Sequence, residues 1–193
     1  MNIRFLGRSG LEVSPLCFGA MMFVGEAGWR HLSTIGVKEA TELVAITLDA
    51  GVNFFDTADI YSAGASEVIL GEALGARRKD AIITTKVGFR TGPGPHDIGL
   101  SRQHVLESCH ASLRRLRTDY IDLYLLHTYD PLVPLEETLR ALEDLVRQGK
   151  VRYIGCSNFM AWYLMKALGI ADARGWTRFA AIQSLYALTN RDI

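Results

Sequence analysis

The apolar and polar positions along the chain follow two periods, one typical of strands and one typical of helices. Short runs rich in β-branched and apolar residues predict strands over 15–20, 52–56, 81–86, 120–126, 151–156 and 179–182. Apolar stripes with a helical period predict helices over 37–50, 66–75, 101–116, 134–148 and 162–174. Strands and helices that alternate at intervals of about 30 residues are typical of βα units on a parallel sheet. The pattern therefore predicts an α/β fold, with residues 1–193 in a single domain.

The first residues carry a shorter alternation, which predicts a β-hairpin over 2–14. Ile3 and Phe5 alternate with polar residues before a turn at 8–10, and the alternation resumes after the turn. The strand that follows ends at Gly19, where the missing side chain would let a ligand approach the backbone closely.

Composition and charge exclude several classes of partner. The formal net charge is zero, so no net field draws the chain to nucleic acid or to anionic lipid. No segment approaches the run of about 20 apolar residues that a membrane helix needs. The first ten residues lack the apolar core of a signal peptide. We therefore expect a cytoplasmic protein without a nucleic-acid or membrane partner.

The three cysteines, Cys17, Cys109 and Cys156, are scattered and show no CxxC spacing. An odd, scattered set argues against a disulfide framework and against a zinc site, and it fits a reducing compartment. Each is interpreted as a small buried apolar residue.

Most of the predicted strands end in a side chain that can take part in chemistry. Taken singly, each has a structural explanation: Asp56 as a turn cap, Lys86 as a solvated cation, His127 as a structural histidine. Ser157-Asn158 would cap the next helix, and Gln183 would have no special role. The carboxyl ends of strands in a parallel barrel meet at one mouth, however, so residues from five strands would converge there. Their joint occurrence favours a functional site that also includes Tyr61, in the loop after Asp56.

An acid, a phenol, an amine and an imidazole together suit the reduction of a carbonyl group. A free phenol has a pKa near 10, and a nearby ammonium stabilises its phenolate form. A carboxylate beside the lysine keeps the ammonium in place, and an imidazole can orient a carbonyl oxygen. The hydride must come from a cofactor, since no side chain supplies one. Side-chain amides such as those of Asn158 and Gln183 suit the carboxamide of a nicotinamide.

Six segments carry a family resemblance: GRSGLEVSPLCFGAM at 7–21, GVNFFDTADIYSAGASEVILGEAL at 51–74, IITTKVG at 82–88, RLRTDYIDLYLLH at 115–127, LVRQGKVRYIGCSNF at 145–159 and AAIQSLYALTNRDI at 180–193. With them the chain resembles the aldo-keto reductases, which are (β/α)₈ barrels that use NADPH. It is most similar to the branch that contains aryl-alcohol dehydrogenases and the potassium-channel β subunits.

The resemblance implies a role for each residue of the candidate site. Tyr61 would be the proton donor, Lys86 and Asp56 would tune it, and His127 would orient the carbonyl group of a small-molecule substrate. The cofactor NADPH would be held by Gly19, Ala20, Met21, Asp56, Ser157, Asn158 and Gln183. No residue is expected to bind a metal. The hairpin would close the bottom of the barrel, and Trp29 and Phe89 would either line the substrate pocket or serve as packing.

The chain departs from the family in length, because six barrel strands are predicted where the family has eight. The segment in which the family carries residues for the nicotinamide ring and the adenosine 2′-phosphate has no counterpart here. Three interpretations remain open: a truncated enzyme, a barrel completed by a partner chain, and a non-catalytic binding or regulatory subunit. The intact set of Asp56, Tyr61, Lys86 and His127 favours descent from an enzyme.

A different class, a phosphate-handling barrel lyase or isomerase, is less well supported. It would need a phosphate site after the seventh and eighth strands, and it offers Tyr61 no role. His96, His104 and His110 lack metal-ligand spacing and are interpreted as solvated residues.

Overall fold

Six parallel strands and five helices form the main body of the molecule in a computed structural model, which describes residues 2–24, 33 and 35–191. The strands are β1 Arg4–Phe5, β2 Glu12–Val13, β3 Cys17–Gly19, β4 Phe54–Asp56, β5 Ile82–Val87, β6 Ile121–Leu126, β7 Val151–Ser157 and β8 Ala181–Gln183. The helices are α1 Val37–Asp49, α2 Ala65–Leu74, α3 Arg102–Leu116, α4 Leu135–Arg147 and α5 Ala161–Arg174. Short 3₁₀ turns occupy Tyr61–Gly64 and Gly75–Asp80. Trp29 lies outside the described residues.

The sheet runs in the order β3-β4-β5-β6-β7-β8, and every neighbouring pair is parallel. Each helix connects two sequential strands, because parallel neighbours need a crossover connection. The sheet is curled, so that the carboxyl ends of its strands turn toward a common mouth. The α/β class and the barrel-type arrangement of six strands are therefore confirmed.

Two apolar layers cover the two faces of the sheet. The larger layer lies between the sheet and the helices, and in β6 it takes Tyr124 and Leu126. The intervening residues Leu123 and Leu125 point to the other face, because side chains alternate along a strand. There they pack against Leu11 and its neighbours from the β1–β2 hairpin. The predicted hairpin is thus confirmed, and it packs on the face of the sheet opposite the helices.

Helix boundaries agree with the predicted ones to within one residue, and α3 shows why. The hydroxyl oxygen of Ser101 accepts a hydrogen bond from the amide of His104 at 3.3 Å, which makes Ser101 the predicted N-cap. The helix ends where Arg117 adopts a left-handed conformation with φ of 53°.

Arg78, in the 3₁₀ turn between α2 and β5, is largely withdrawn from solvent. Its guanidinium group donates to the carboxylate of Asp122 at 2.8 Å and stacks over the ring of Tyr120. The second oxygen of this fully buried carboxylate accepts from Arg152 at 2.9 Å. Asp122 is buried in β6 and therefore needs charged partners, which the turn and β7 supply.

Two expectations about burial are wrong. His104 was interpreted as solvated, yet it is buried in α3, and this burial lowers its pKa. Cys17 was interpreted as buried, yet it is exposed on β3, which is an edge strand of the described sheet. Cys109 and Cys156 are buried as predicted, because both lie between the sheet and the helices. None of the helices within the described ranges is long and apolar enough to cross a membrane.

Candidate active site

Four of the predicted site residues come from three neighbouring strands of the sheet. Asp56 is the last residue of β4, Lys86 lies near the end of β5, and His127 directly follows β6. Tyr61 opens the 3₁₀ turn that leads from β4 into α2. Since neighbouring parallel strands end on the same side, the structure brings all four side chains to one mouth.

Lys86 is the centre of this group. Its side chain is only 1% exposed, and its ammonium group donates to Asp56 Oδ2 at 2.7 Å and to the carbonyl oxygen of Thr57 at 2.8 Å. A third bond reaches the phenol oxygen of Tyr61 at 3.2 Å. A buried ammonium needs such partners to stay charged. Because it donates to the phenol oxygen, it would stabilise negative charge developing on that atom.

His127 also packs against the phenol ring. The two ring centroids are 5.8 Å apart in an edge-to-face arrangement, and Phe89 packs on the imidazole at 4.6 Å. Burial, aided by the positive charge of Lys86, lowers the pKa of His127 to about 4. The imidazole is therefore neutral at pH 7. Its buried Nδ1 atom has no hydrogen-bond partner among the residues that the structure describes.

The amide residues at the ends of β7 and β8 face the same mouth. Gln183 donates to the second carboxylate oxygen of Asp56 at 3.1 Å. Asn158 donates to the hydroxyl of Ser157 at 3.1 Å and accepts from the amide of Leu185 at 3.2 Å. The alternative in which Ser157-Asn158 cap the next helix is wrong, because the N-cap of α5 is Met160 and it receives no side-chain bond.

Hydrogen bonds connect the residue after β3 to the end of β4 and to α2. The Ala20 amide donates to the carbonyl oxygen of Asp56 at 2.8 Å, and the Ala20 carbonyl accepts from Ser66 at 2.7 Å. The Ser66 hydroxyl also pairs with Thr57 at 2.8 Å. Next to Ala20, a side chain added at Gly19 would meet no atom within 4 Å, which leaves room beside the backbone.

An apolar cavity of about 480 Å³ adjoins this mouth between the loops that follow β5 and β6. Phe89, Ile98 and Leu132 contribute to its lining, and all three are exposed. Asp130 closes one side by accepting from the amide of Leu100 at 2.9 Å. The cavity is large enough for a small organic molecule.

Sequence reasoning missed a second polar cluster beneath the 3₁₀ turn. Its members are buried or half-buried polar side chains from four segments: Asp59, Ser62, Glu67, Thr85, Ser112 and Arg115. One feature of the sequence indicates this cluster: Glu67 is a charged residue within a short, largely apolar helix. No periodicity reveals which residues of α3 and β5 meet that carboxylate.

The parallel sheet and its helices define an incomplete α/β barrel, and comparison with known proteins agrees. The chain belongs to the aldo/keto reductase family, whose model matches residues 15–193.

Similar proteins carry two kinds of name. A probable voltage-gated potassium channel subunit beta of Arabidopsis thaliana is 43% identical over 175 residues, which are 89% of this chain and 51% of that protein. A putative voltage-gated potassium channel subunit beta of Schizosaccharomyces pombe is 40% identical over 193 residues, covering 98% of this chain and 54% of that protein. The versiconal hemiacetal acetate reductase of Aspergillus parasiticus is 37% identical over 212 residues, covering 100% and 61%. The chain thus spans between about half and three fifths of the length of these relatives.

Proposed function

We propose that the chain carries the catalytic residues of an NADPH-dependent reductase that converts an aldehyde or ketone to an alcohol. The observation that supports this most directly is the position of the Lys86 ammonium group, within hydrogen-bond distance of both Asp56 and Tyr61. Reductase-named relatives and the family support carbonyl reduction in general. The choice of NADPH rests on the resemblance to the family.

The residues fit a nicotinamide cofactor at the mouth. Asn158 and Gln183 present side-chain amides at the ends of adjacent strands. The backbone amide of Asn158 donates to the backbone carbonyl oxygen of Gln183 at 2.9 Å. With Ser157 they would hold the carboxamide of the cofactor. The open space at Gly19 would admit the cofactor beside Ala20 and Met21. Bound NADPH would supply the hydride.

In the proposed mechanism, the protein's own groups handle the substrate oxygen and its proton. Neutral His127 would donate a hydrogen bond to the substrate carbonyl and fix its orientation. Tyr61 would give its proton to the same oxygen. Lys86 would stabilise the phenolate that remains, and Asp56 would keep Lys86 in place. The apolar cavity beside Phe89 would hold the rest of the substrate and exclude water.

A fluorescence titration with NADPH, followed by an assay of aldehyde reduction, tests the proposal. Tyr61→Phe should abolish reduction and leave the NADPH dissociation constant within about twofold, because it removes the proton donor alone. Tyr120→Phe is the matched control, since Tyr120 lies at the opposite end of β6 and keeps its ring under Arg78. Turnover by Tyr61→Phe at the parent rate would rule out the mechanism.

A second candidate function is that of a non-catalytic binding or regulatory subunit. It is favoured by the relatives named potassium channel subunit beta. NADPH binding without turnover on an aldehyde panel would support it. Saturable binding together with turnover would favour the enzyme.

A further inference from the structure

Asp59, which has no role in the proposed mechanism, carries a buried carboxyl group in an unusual environment. It is 2% exposed, and neither of its carboxylate oxygens has a hydrogen-bond partner in the described part of the chain. An unpaired buried carboxylate is costly, so such a group normally keeps a proton. Burial, reinforced by the negative charge of Glu67, raises the pKa of Asp59 to about 8.

The surroundings of Asp59, including Arg115, Lys86 and the Ile60 amide, compensate a second negative charge only in part. Glu67 of α2 is fully buried and already uses the Arg115 guanidinium of α3 at 2.6 Å and the Thr85 hydroxyl of β5 at 2.6 Å. The ammonium group of Lys86 of β5 already forms an ion pair with Asp56.

Two more ionisable groups face the cluster, and both are protonated at neutral pH. Burial raises the pKa of Cys109 of α3 to about 12 and that of Tyr124 of β6 well above its usual value. The cluster therefore offers one guanidinium for two carboxyl groups, and ionised Asp59 would leave a net negative charge inside the protein.

The backbone around Asp59 connects this cluster to the proposed proton donor. The Asp59 amide donates to the carbonyl oxygen of Lys86 at 3.2 Å, and the Tyr61 amide donates to that of Ala58 at 3.1 Å. The residues after Tyr61 hold left-handed backbone, with φ of 50° at Ser62 and 89° at Gly64. The hydroxyl of Ser62 is buried and lacks a partner among the described residues. Such a conformation persists only where the packing beneath it holds it in place.

We infer that Asp59 is a positioning residue for Tyr61: while it is protonated, the turn keeps the phenol on Lys86, and its ionisation moves the phenol away. The expected effect of Asp59 ionisation on reduction rests on the proposed function. Its expected effect on the turn rests on the fold alone. A protonated carboxyl adds no charge and carries a donor that the carboxylate lacks. An ionised carboxylate would draw in water or Arg115, and either movement disturbs the turn.

The test compares the pH dependence of the parent chain with that of Asp59→Asn, which mimics the protonated carboxyl. The parent rate of reduction should fall about tenfold between pH 7 and pH 9, as a single group with a pKa of about 8 requires. Asp59→Asn should retain the parent rate at pH 7 within a few-fold and change less than about twofold over the same interval. Asp119→Asn, at an exposed site, should show the parent profile.

An NMR titration gives a readout that does not depend on catalysis. In chains with ¹³C-labelled tyrosine, the Tyr61 ring signals, assigned with Tyr61→Phe, should shift with a midpoint near pH 8 in the parent and not in Asp59→Asn. Glu67→Gln provides a second variant, and its midpoint should lie at lower pH because one negative charge near Asp59 is gone.

The outcomes separate the two proposals. A Tyr61 transition that persists unchanged in Asp59→Asn and Glu67→Gln would overturn the inference, because the phenol itself would then be the titrating group. If Asp59→Asn does not fold, an unchanged midpoint in Glu67→Gln overturns the inference by itself. A transition that depends on Asp59, in a chain that reduces no aldehyde, would uphold the inference about the turn and contradict the proposed function.

Discussion

Backbone conformation at single residues decides how the turn after Tyr61 is built. Ser62 and Ala63 have φ of 50° and 55°, values that cost an L-residue roughly 1 kcal/mol each. The side chain of Ala63 is exposed and contributes little packing that could offset this cost. The turn therefore stores strain directly beside the proposed proton donor.

We predict that Ala63→Gly stabilises the protein by about 0.5–1 kcal/mol, since glycine adopts positive φ without a steric penalty. The neighbouring Ala65→Gly is a matched control. Ala65 has φ of −61° at the start of α2, so glycine there should destabilise by about 0.5–1 kcal/mol. Urea unfolding of the three chains measures both changes. Equal destabilisation by the two substitutions would show that Ala63 is not strained.

At the scale of elements, the spacing between α2 and α3 depends on one glycine. A side-chain carbon added at Gly71 would lie 2.6 Å from the carbonyl oxygen of Leu116 at the end of α3. The backbones of the two helices therefore approach each other closely, as they do wherever a helix presents a residue without a side chain. This contact brings Glu67 of α2 within reach of Arg115 of α3.

Gly71→Ala should destabilise the protein by about 1–3 kcal/mol, because α2 and α3 must move apart. Gly169→Ala in α5 is the matched control. An added carbon at Gly169 meets no atom within 4 Å, so the higher helix propensity of alanine should stabilise by about 0.5–1 kcal/mol. The two variants are compared by thermal unfolding. A melting temperature that rises in both would contradict the close approach of α2 and α3.

At the scale of the whole molecule, two buried residues give opposite contributions to stability as pH changes. Asp59 keeps its proton up to about pH 8 in the folded chain, whereas its ordinary pKa is 3.8. Its stabilising contribution is full below pH 3.8 and is lost as pH rises to about 8. His127 remains neutral down to about pH 4, whereas its ordinary pKa is 6.5. Its contribution is full above pH 6.5 and is lost as pH falls to about 4.

Each of these groups changes the free energy of unfolding by about 1.4 kcal/mol per pH unit within its own interval. The two slopes cancel between about pH 4 and pH 6.5, and Asp59 alone then lowers stability by about 2 kcal/mol up to pH 8. The lowered pKa of His104 adds a further loss on the acid side.

We therefore predict that Asp59→Asn gains stability over the parent as pH rises from 5 to 8, by an amount on the order of 3 kcal/mol. Urea unfolding at pH 5, 6.5 and 8 measures the difference. Asp119→Asn serves as the exposed control and should show no such trend. A constant difference between Asp59→Asn and the parent at all three pH values would mean that Asp59 is ionised throughout.

The sequence alone determined the order of the elements, their approximate bounds and the strand-end residues Asp56, Lys86 and His127. These are local properties, because the hydrophobic period, the helix caps and the turn residues depend on residues that are close together in the sequence. Given parallel strands, convergence of their carboxyl ends follows from the architecture. The pairing of Lys86 with Asp56 was therefore foreseeable before any distance was known.

Only the tertiary structure decided which polar groups are buried and what they meet. Burial of His104, the ion pair of Arg78, the neutral state of His127 and the unpaired carboxyl of Asp59 all depend on segments far away in sequence. A residue's own neighbours in the chain do not reveal whether another element will cover it. Desolvation and nearby charge set its protonation, and both are properties of the packed molecule.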